Sequence, residues 1–321
     1  MAETSVTTAE ILVVLNKSDH EALLVDPESL AFLAKIPTGQ GPHEAAVTPD
    51  GRTVFVANYG MTGVFREGQR QDHPGNTISV IDVERRAVRG MLDLGDYTKP
   101  HGMAVSRDGR LLWVTCEGAQ AVLELDAASG AIRAAWKTNQ DVSHMLVPTP
   151  DERKLYVTNI RSGSVTVIDR ASGAVKSIPT GEGAEGIDVT ADGREVWVTN
   201  RGAHTVSILS TADDRIVESF ASGGQMPIRV KFTPDAREAW VSNARSNNIT
   251  VFDPATRRQV ATVAVGAVPI GIQMSPDGRR AFIANTNDDR ITVLSIADRA
   301  VERSFTPGNE PDGMAWAVIP R

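Results

Sequence analysis

The chain consists largely of short runs in which apolar and polar residues alternate. Segments such as TVFVAN (53–58) and KLYVTN (154–159) alternate with a period of two, and turn signals rich in Gly, Pro, Asp and Asn separate each run from the next. This alternation is typical of β-strands with one buried face, and such turn signals are typical of β-hairpins. The pattern therefore predicts an all-β protein of short antiparallel strands.

The strand pattern repeats along the chain. Each repeat opens on a Pro-His-Gly or related tripeptide, passes through a Pro-Asp-Gly or related turn and carries Asn or Cys at the end of its second strand. The repeats start at residues 42, 100, 143, 184, 227, 269 and 311, and from 143 onward the starts are 41 to 43 residues apart. Four short strands in a repeat of this length form one blade, so we predict a seven-bladed β-propeller of four-stranded antiparallel blades.

The last repeat and the first depart from the regular pattern. The last has one strand, within residues 311–320, and residues 11–37 supply the three strands that complete its blade. Closure of this kind removes exposed sheet edges. In the first repeat, about 14 extra residues, at roughly 60–75, separate the second strand from the third. We therefore predict a single domain over residues 1–321, with this insertion as a mobile lid.

The strings VFVAN, LYVTN, VWVTN and FIAN, which follow the turns, resemble those of the YVTN-type seven-bladed β-propellers. That family is similar in fold to the bacterial lactonase and streptogramin-lyase propellers. The resemblance extends over nearly the whole chain and implies the fold and the location of a site at one end of the central channel. The full site patterns of those enzymes are not present, so the resemblance implies a lactonase-like or lyase-like activity by analogy of fold alone.

The second residue of each repeat lies at the mouth of the central channel, because every first strand starts from the same face of the ring. We call this face the upper face. From blade 1 to blade 7 these residues are His43, His101, His144, Glu185, Ile228, Ile270 and Asp312. In the closed ring Asp312 is adjacent to His43, so three imidazoles flanked by two carboxylates form one arc. The two isoleucines lie opposite the arc.

The arc has the residue types of a metal site. Three neutral imidazoles with an open coordination position are typical of catalytic zinc, and nitrogen ligands with a carboxylate suit ferrous iron or manganese equally well. We predict that His43, His101 and His144 bind a divalent metal ion. The sequence does not distinguish zinc, iron and manganese as that ion. Glu185 and Asp312 are predicted as catalytic groups, or as a further ligand or orienting partners. Without a metal, the same cluster is an acid–base array.

Neighbouring residues of the upper face complete the predicted site. His73, in the insertion, is a third candidate catalytic residue. The predicted substrate-binding residues are Tyr59, Phe65, Arg66, Ile228, Arg229 and Ile270. For Arg229 a contact with a substrate carboxylate and an ion pair between blades are both open. Three assignments are structural: His20 and His204 as solvated loop residues, the repeated Asn as a loop anchor, and Cys116 as a small buried residue.

Composition narrows the functional classes. The 40 acidic and 33 basic residues give a net charge of −7, which does not favour a nucleic-acid partner. A single cysteine excludes an intramolecular disulfide and a thiolate metal cluster. The segment ILVVL is too short for a signal sequence or a membrane span, so we expect a cytoplasmic protein without a membrane partner. No Walker loop, dinucleotide fingerprint or G-x-S-x-G motif is present.

These observations support two hypotheses. In the first, the chain is a metal-dependent enzyme that acts on a small oxygenated metabolite at the top of the channel. It would either hydrolyse a lactone or ester, or eliminate a group next to a polarised carbonyl. In the alternative, it is a non-catalytic propeller scaffold that binds a protein or ligand on its upper face. The oligomeric state is left open.

Overall fold

The structure is a computed structural model that describes residues 8–61 and 73–320. The described chain starts with β1 (Thr8–Asn16), β2 (Glu21–Val25) and β3 (Phe32–Pro37). Blade 1 consists of β4 (Pro42–Val47), β5 (Thr53–Gly60), β6 (Pro74–Asp82) and β7 (Ala87–Asp93). Blade 2 consists of β8 (Pro100–Val105), β9 (Leu111–Cys116), β10 (Ala121–Asp126) and β11 (Ile132–Lys137). Blade 3 consists of β12 (Ser143–Pro148), β13 (Lys154–Asn159), β14 (Ser164–Asp169) and β15 (Val175–Pro179).

The second half of the ring follows the same plan. Blade 4 consists of β16 (Ala184–Val189), β17 (Glu195–Asn200), β18 (Thr205–Ser210) and β19 (Arg215–Ala221). Blade 5 consists of β20 (Pro227–Phe232), β21 (Ala239–Asn243), β22 (Asn248–Asp253) and β23 (Arg258–Ala264). Blade 6 consists of β24 (Pro269–Met274), β25 (Arg280–Asn285), β26 (Arg290–Ser295) and β27 (Ala300–Phe305), and β28 (Pro311–Pro320) follows. Short 3-10 helices lie at Glu117–Ala119 and Thr286–Asp288.

Blade 7 joins the two ends of the described chain. Its strand order is β28, β1, β2, β3, and β1 pairs antiparallel with β28 from Thr8 opposite Pro320 to Asn16 opposite Pro311. Each of the seven sheets has four antiparallel strands, and neighbouring first strands contact one another around the ring. The predicted fold class, including closure of the last blade by the N-terminal strands, is confirmed. No helix among the described residues is long and apolar enough to cross a membrane.

The turn between the first two strands explains why the Pro-Asp-Gly pattern recurs. In blade 1 the hydroxyl of Thr48 donates to Oδ1 of Asp50 at 2.6 Å, and Asp50 also accepts from the amide of Arg52. Gly51 has a φ of 70°, a left-handed conformation that glycine adopts without strain. The same Ser or Thr to Asp hydrogen bond occurs in blades 2 to 6. Each turn therefore reverses the chain within one blade and away from the upper face.

The repeated Asn has the structural role predicted for it. The Nδ2 atom of Asn243 donates to the Thr250 hydroxyl at 2.8 Å, which links the end of the second strand to the third. Blade 2 carries Cys116 in this position, and Leu123 takes the place of the Ser or Thr that accepts from Asn in blades 3 to 6. Both are buried in one apolar cluster. An apolar pair thus replaces the hydrogen-bonded pair, and Cys116 is the small buried residue predicted.

The insertion leaves blade 1 at its upper end. Gly60 at the end of β5 pairs with Pro74 at the start of β6, and the amide of Met61 donates to the carbonyl of His73 at 2.9 Å. The predicted lid residues Phe65 and Arg66 lie outside the described residues, so their assignment stays a prediction.

Candidate functional site

The second residues of the seven repeats form an inner ring at the upper mouth of the channel. His43, His101, Glu185, Ile228 and Asp312 are buried, and His144 and Ile270 are half-buried. The first strands approach one another closely here because a glycine often follows the ring residue. A Cβ on Gly102 would lie 2.6 Å from the carbonyl oxygen of His144 in the next blade. The backbone thus brings the side chains of neighbouring blades together.

A second ring lies beside the first and consists of the residue after the repeated Asn or Cys. Its members are Lys17, Tyr59, Glu117, Ile160, Arg201, Ala244 and Thr286. In each blade the amide of this residue donates to the carbonyl of the residue that precedes the inner strand, as from Glu117 to Lys99 at 3.0 Å. Only Tyr59 of this set was predicted from the sequence as a site residue. The signal that identifies the others is their fixed place in the repeat.

Glu117 lies at the centre of the arc although sequence reasoning gave it no role. Its carboxylate accepts a hydrogen bond from the Tyr59 hydroxyl at 2.5 Å and lies 2.6 Å from Nδ1 of His144. Glu117 and Tyr59 are buried. One carboxylate from blade 2 therefore holds the side chains of blades 1 and 3 in fixed positions.

The three predicted imidazoles form a row. The ring centroids of His101 and His144 are 3.8 Å apart, and those of His43 and His101 are 5.3 Å apart. Burial lowers the pKa of His43 to about 4 and lowers the pKa of His101 well below its usual value. Burial also opposes protonation of His144, but the hydrogen bond and charge of Glu117, together with the charge of Glu185, raise its pKa. His43 and His101 are consequently neutral at neutral pH, as metal ligands and proton acceptors need to be.

A divalent metal fits one set of these side chains. His101, Glu117 and His144 each offer a ligand atom, and the three atoms lie within 4.8 Å of one another. In addition, Nδ1 of His101 is buried without a hydrogen-bond partner among the described residues. Two imidazoles and a carboxylate are a common donor set for zinc and for ferrous iron. The third member of this set is Glu117, whereas the ligand predicted from the sequence was His43. Nδ1 of His43 donates to the carbonyl of Gly41 at 2.7 Å.

Glu185 continues the row of contacts into blade 4. Its Oε1 lies 3.8 Å from Nε2 of His144, and its Oε2 lies 3.0 Å from Nη1 of Arg201. Burial raises the pKa of Glu185, while the nearby positive charges of His144 and Arg201 oppose this. The contacts run without interruption from Tyr59 through Glu117, His144 and Glu185 to Arg201.

The other end of the arc is a buried ion pair. Asp312, predicted as catalytic, lies 3.4 Å from Nζ of Lys17, and both side chains are buried. Because Lys17 neutralises this carboxylate, the ion pair brings no net charge to the side of His43. His73 is exposed at the base of the insertion, and its catalytic assignment stays a prediction.

Arg229 forms an ion pair between blades, one of the two roles left open for it. Its Nη2 lies 2.5 Å from Oε1 of Glu44 in blade 1, and its Nε donates to the carbonyl of Ile270 at 3.3 Å. The opposing charge of Glu44 outweighs burial and raises the pKa of Arg229. Beyond the pair, a cavity of about 360 Å³ extends toward Lys231 and Trp316. Both side chains of the pair line this cavity.

His20 and His204 are not simply solvated. Nδ1 of His20 accepts the amide hydrogen of Gly41 at 3.1 Å, and Nδ1 of His204 accepts that of Met226 at 3.0 Å. Both histidines fasten the segment that enters an inner strand. Both residues lie in turns and are partly exposed, as predicted, but their backbone partners in the next blade were not predicted.

Comparisons with known proteins agree with this architecture. The family model described as "Lactonase, 7-bladed beta-propeller" matches residues 15–266. No curated protein matches the chain. Among solved structures, the periplasmic gluconolactonase of Pseudomonas aeruginosa is 20% identical, with 98% of this chain and 100% of that chain covered and a TM-score of 0.76. Hydrazine synthase of Kuenenia stuttgartiensis is 21% identical, with 89% and 92% covered and a TM-score of 0.76. At these identities the structural likeness indicates the fold alone.

Proposed function

Because the chain belongs to the family of seven-bladed β-propeller lactonases, we propose that it is a metal-dependent lactonase. It would hydrolyse a lactone of a small oxygenated metabolite at the upper mouth of the channel. The observation that carries the proposal is the donor set of His101, Glu117 and His144, with ligand atoms within 4.8 Å of one another. A convergent, mostly buried set of this kind is not a requirement of the propeller repeat, since other blades place isoleucine or alanine in the same two rings.

The three donors would hold a divalent cation. When bound, such a cation polarises a lactone carbonyl and makes a nearby water more acidic. The protein's contribution is to fix its own side chains. Glu117 is oriented by the Tyr59 hydroxyl, and the stacked rings of His101 and His144 restrict each other. Outer contacts of this type preserve the geometry of a site when substrate enters.

His43 is assigned the proton transfer in the proposed reaction. Its Nδ1 hydrogen donates to the Gly41 carbonyl, so in the neutral ring Nε2 carries the lone pair. In the proposed reaction a water oxygen adds to the lactone carbonyl carbon and its proton passes to Nε2 of His43. The bond between that carbon and the ring oxygen then breaks, and the ring oxygen takes the proton back from His43. The product is one hydroxy acid, and the protein returns to its starting state.

The experiment is metal analysis and lactone hydrolysis with protein purified without a histidine tag. Gluconolactone and simple γ-lactones serve as substrates, with release of acid as the measurement. We expect close to one divalent metal per chain in the wild type. His101→Ala and Glu117→Gln should lose both metal and hydrolysis. His43→Ala should keep the metal and lose about 100-fold or more in kcat, as expected for removal of a general base.

Glu182→Gln is the matched control, because Glu182 is an exposed carboxylate on the same face. It should retain metal and activity. A wild-type protein that binds no metal and hydrolyses none of the lactones would overturn the proposal and favour the scaffold alternative.

A further inference from the structure

His20 lies in the turn between β1 and β2 and contacts the segment that leads into blade 1. Its Nδ1 accepts the amide hydrogen of Gly41 at 3.1 Å. The carbonyl of the same glycine accepts the Nδ1 hydrogen of His43 at 2.7 Å and the amide hydrogen of Tyr59 at 3.0 Å. Gly41 therefore connects His20, which belongs to neither ring, to the imidazole assigned the proton transfer.

The orientation of Gly41 depends on its hydrogen bonds. Its φ is 60°, and a Cβ would lie 2.3 Å from the carbonyl oxygen of Gly60, so only glycine fits there. The peptide unit before it is planar and is held at both edges. The carbonyl of Gln40 accepts from the amide of Gly60 at 2.9 Å, and the amide of Gly41 donates to His20. Loss of His20 would remove one of these two bonds and loosen the carbonyl that accepts from His43.

The contact made by His20 recurs around the ring. In four blades the residue four places after the repeated Asn has a left-handed backbone, which His, Asn and Asp adopt more readily than most residues. Its side chain accepts the amide hydrogen of the residue two places before the next inner-ring residue. In blade 3 the same position is Gly163, with a φ of 59°. The four accepting residues are His20, His204, Asn247 and Asp289, with φ between 52° and 58°.

The four contacts differ in the inner-ring residue that each supports. For His204 it is Ile228, whose side chain has no polar atom, whereas for His20 it is His43. Of the four accepting residues, only His20 is linked to an inner-ring imidazole through two successive hydrogen bonds. His204 therefore shows what the contact does for the backbone alone.

We propose that His20 is a positioning residue for His43. The proposal rests on the proposed function, in which Nε2 of His43 takes the proton from water. By holding Gly41, His20 keeps a carbonyl in front of Nδ1 of His43, and this hydrogen bond selects the neutral tautomer with the lone pair on Nε2. A ring with its hydrogen on Nε2 accepts no proton there. The metal donor set is separate, and Tyr59 is also held by the pairing of β5 with β6.

The test reads the tautomer of His43 by NMR of protein that contains isotope-labelled histidine. The shifts of the two ring nitrogens show which one carries hydrogen, and the signals that vanish in His43→Ala identify this residue. We expect hydrogen on Nδ1 in the wild type. His20→Gly removes a half-buried side chain from a turn and keeps a backbone that Gly163 adopts in blade 3.

The variant His20→Gly should populate both tautomers of His43. We expect kcat for lactone hydrolysis to fall about tenfold, in line with the loss of one hydrogen bond, while KM stays within about twofold. Metal content should be unchanged. The variant His20→Asn supplies the acceptor that Asn247 provides in blade 5, and it should recover both the tautomer and kcat.

The matched control is His204→Gly, which removes the same kind of contact, here with Met226 at 3.0 Å. It should lower the melting temperature by as much as His20→Gly does, yet leave the tautomer of His43 and kcat as in the wild type. An unchanged tautomer in His20→Gly overturns the proposal, as does an equal loss of kcat in His204→Gly or a failure of His20→Asn to restore the tautomer. A changed tautomer in His20→Gly alone, in a protein that hydrolyses no lactone, would uphold the positioning role and reject the lactonase.

Discussion

The guanidinium of Arg229 in blade 5 lies 2.5 Å from the carboxylate of Glu44 in blade 1, so this ion pair crosses the central channel. The two side chains are 8% and 10% exposed. Glu44→Gln would leave a buried guanidinium without its counter-charge, which typically costs about 3–5 kcal/mol. We expect a loss of that size in the free energy of unfolding, measured by urea titration.

An exposed pair provides the comparison for Glu44→Gln. Arg52 and Glu84 are 3.5 Å apart and each is 52% exposed, so Glu84→Gln should change stability by less than about 0.5 kcal/mol. The double variant Glu44→Leu, Arg229→Met removes both charges and should be more stable than Glu44→Gln. If Glu44→Gln is as stable as Glu84→Gln, the ion pair does not hold the blades together.

The hydrogen bond between Asn243 and Thr250 should be replaceable only as a pair. Asn243→Ala leaves the buried Thr250 hydroxyl without its 2.8 Å donor, and we expect a loss of about 2 kcal/mol. The double variant Asn243→Cys, Thr250→Leu reproduces the apolar pair of blade 2 and should recover part of that loss. Denaturant unfolding of the three proteins checks this. A double variant less stable than Asn243→Ala would mean that blade 5 does not accommodate the apolar pair.

Acid stability should depend on the turn aspartates. Hydrogen bonds from the Thr149 hydroxyl and the Arg153 amide lower the pKa of Asp151 below its usual 3.8, and the equivalent carboxyls of other blades shift the same way. A lowered folded-state pKa gives stability that is present above about pH 4 and lost as the pH falls through the folded value. Asp151→Asn should therefore be less stable than wild type near neutral pH, by no more than about 1 kcal/mol because the group is exposed.

The same comparison at low pH completes that prediction. Melting temperatures of wild type and Asp151→Asn, followed from about pH 7 to about pH 3, should converge as the carboxyl becomes protonated. A gap that stays constant over this range would show that the charge of Asp151 has no part in the turn.

Zinc should distinguish the two possible ligand sets. A ligand present at 100 times its Kd stabilises the folded state by about 2.7 kcal/mol, so added zinc should raise the melting temperature of the wild type. Glu117→Gln should lose this response, because Glu117 belongs to the set within 4.8 Å. His43→Ala should keep it. If His43→Ala loses the response and Glu117→Gln keeps it, the three histidines predicted from sequence are the ligands.

The repeat determines what sequence alone can predict. Strands, blade number and the ring of second residues follow from it, because every blade places equivalent residues at equivalent points. The repeat does not determine the direction in which a side chain of the second ring points. For this reason the contacts of Glu117 with Tyr59 and His144 were not predicted. The ion pair between blades that was left open for Arg229 is present, but its partner Glu44 was not identified, although both residues stand where four other repeats carry glycine. Charged residues at such a position are a signal that contacts cross the channel.

The closure of blade 7 imposes an order on biosynthesis. β1, β2 and β3 are made before any other blade, yet their inner partner β28 is made after all of them. Until then β1 presents an unpaired edge, the kind of edge on which chains associate wrongly. The nascent protein must keep this edge from other strands while six blades assemble, and the pairing of Thr8 with Pro320 is the step that seals it. The same step joins Asp312 to Lys17, so the ring and the candidate site are completed together.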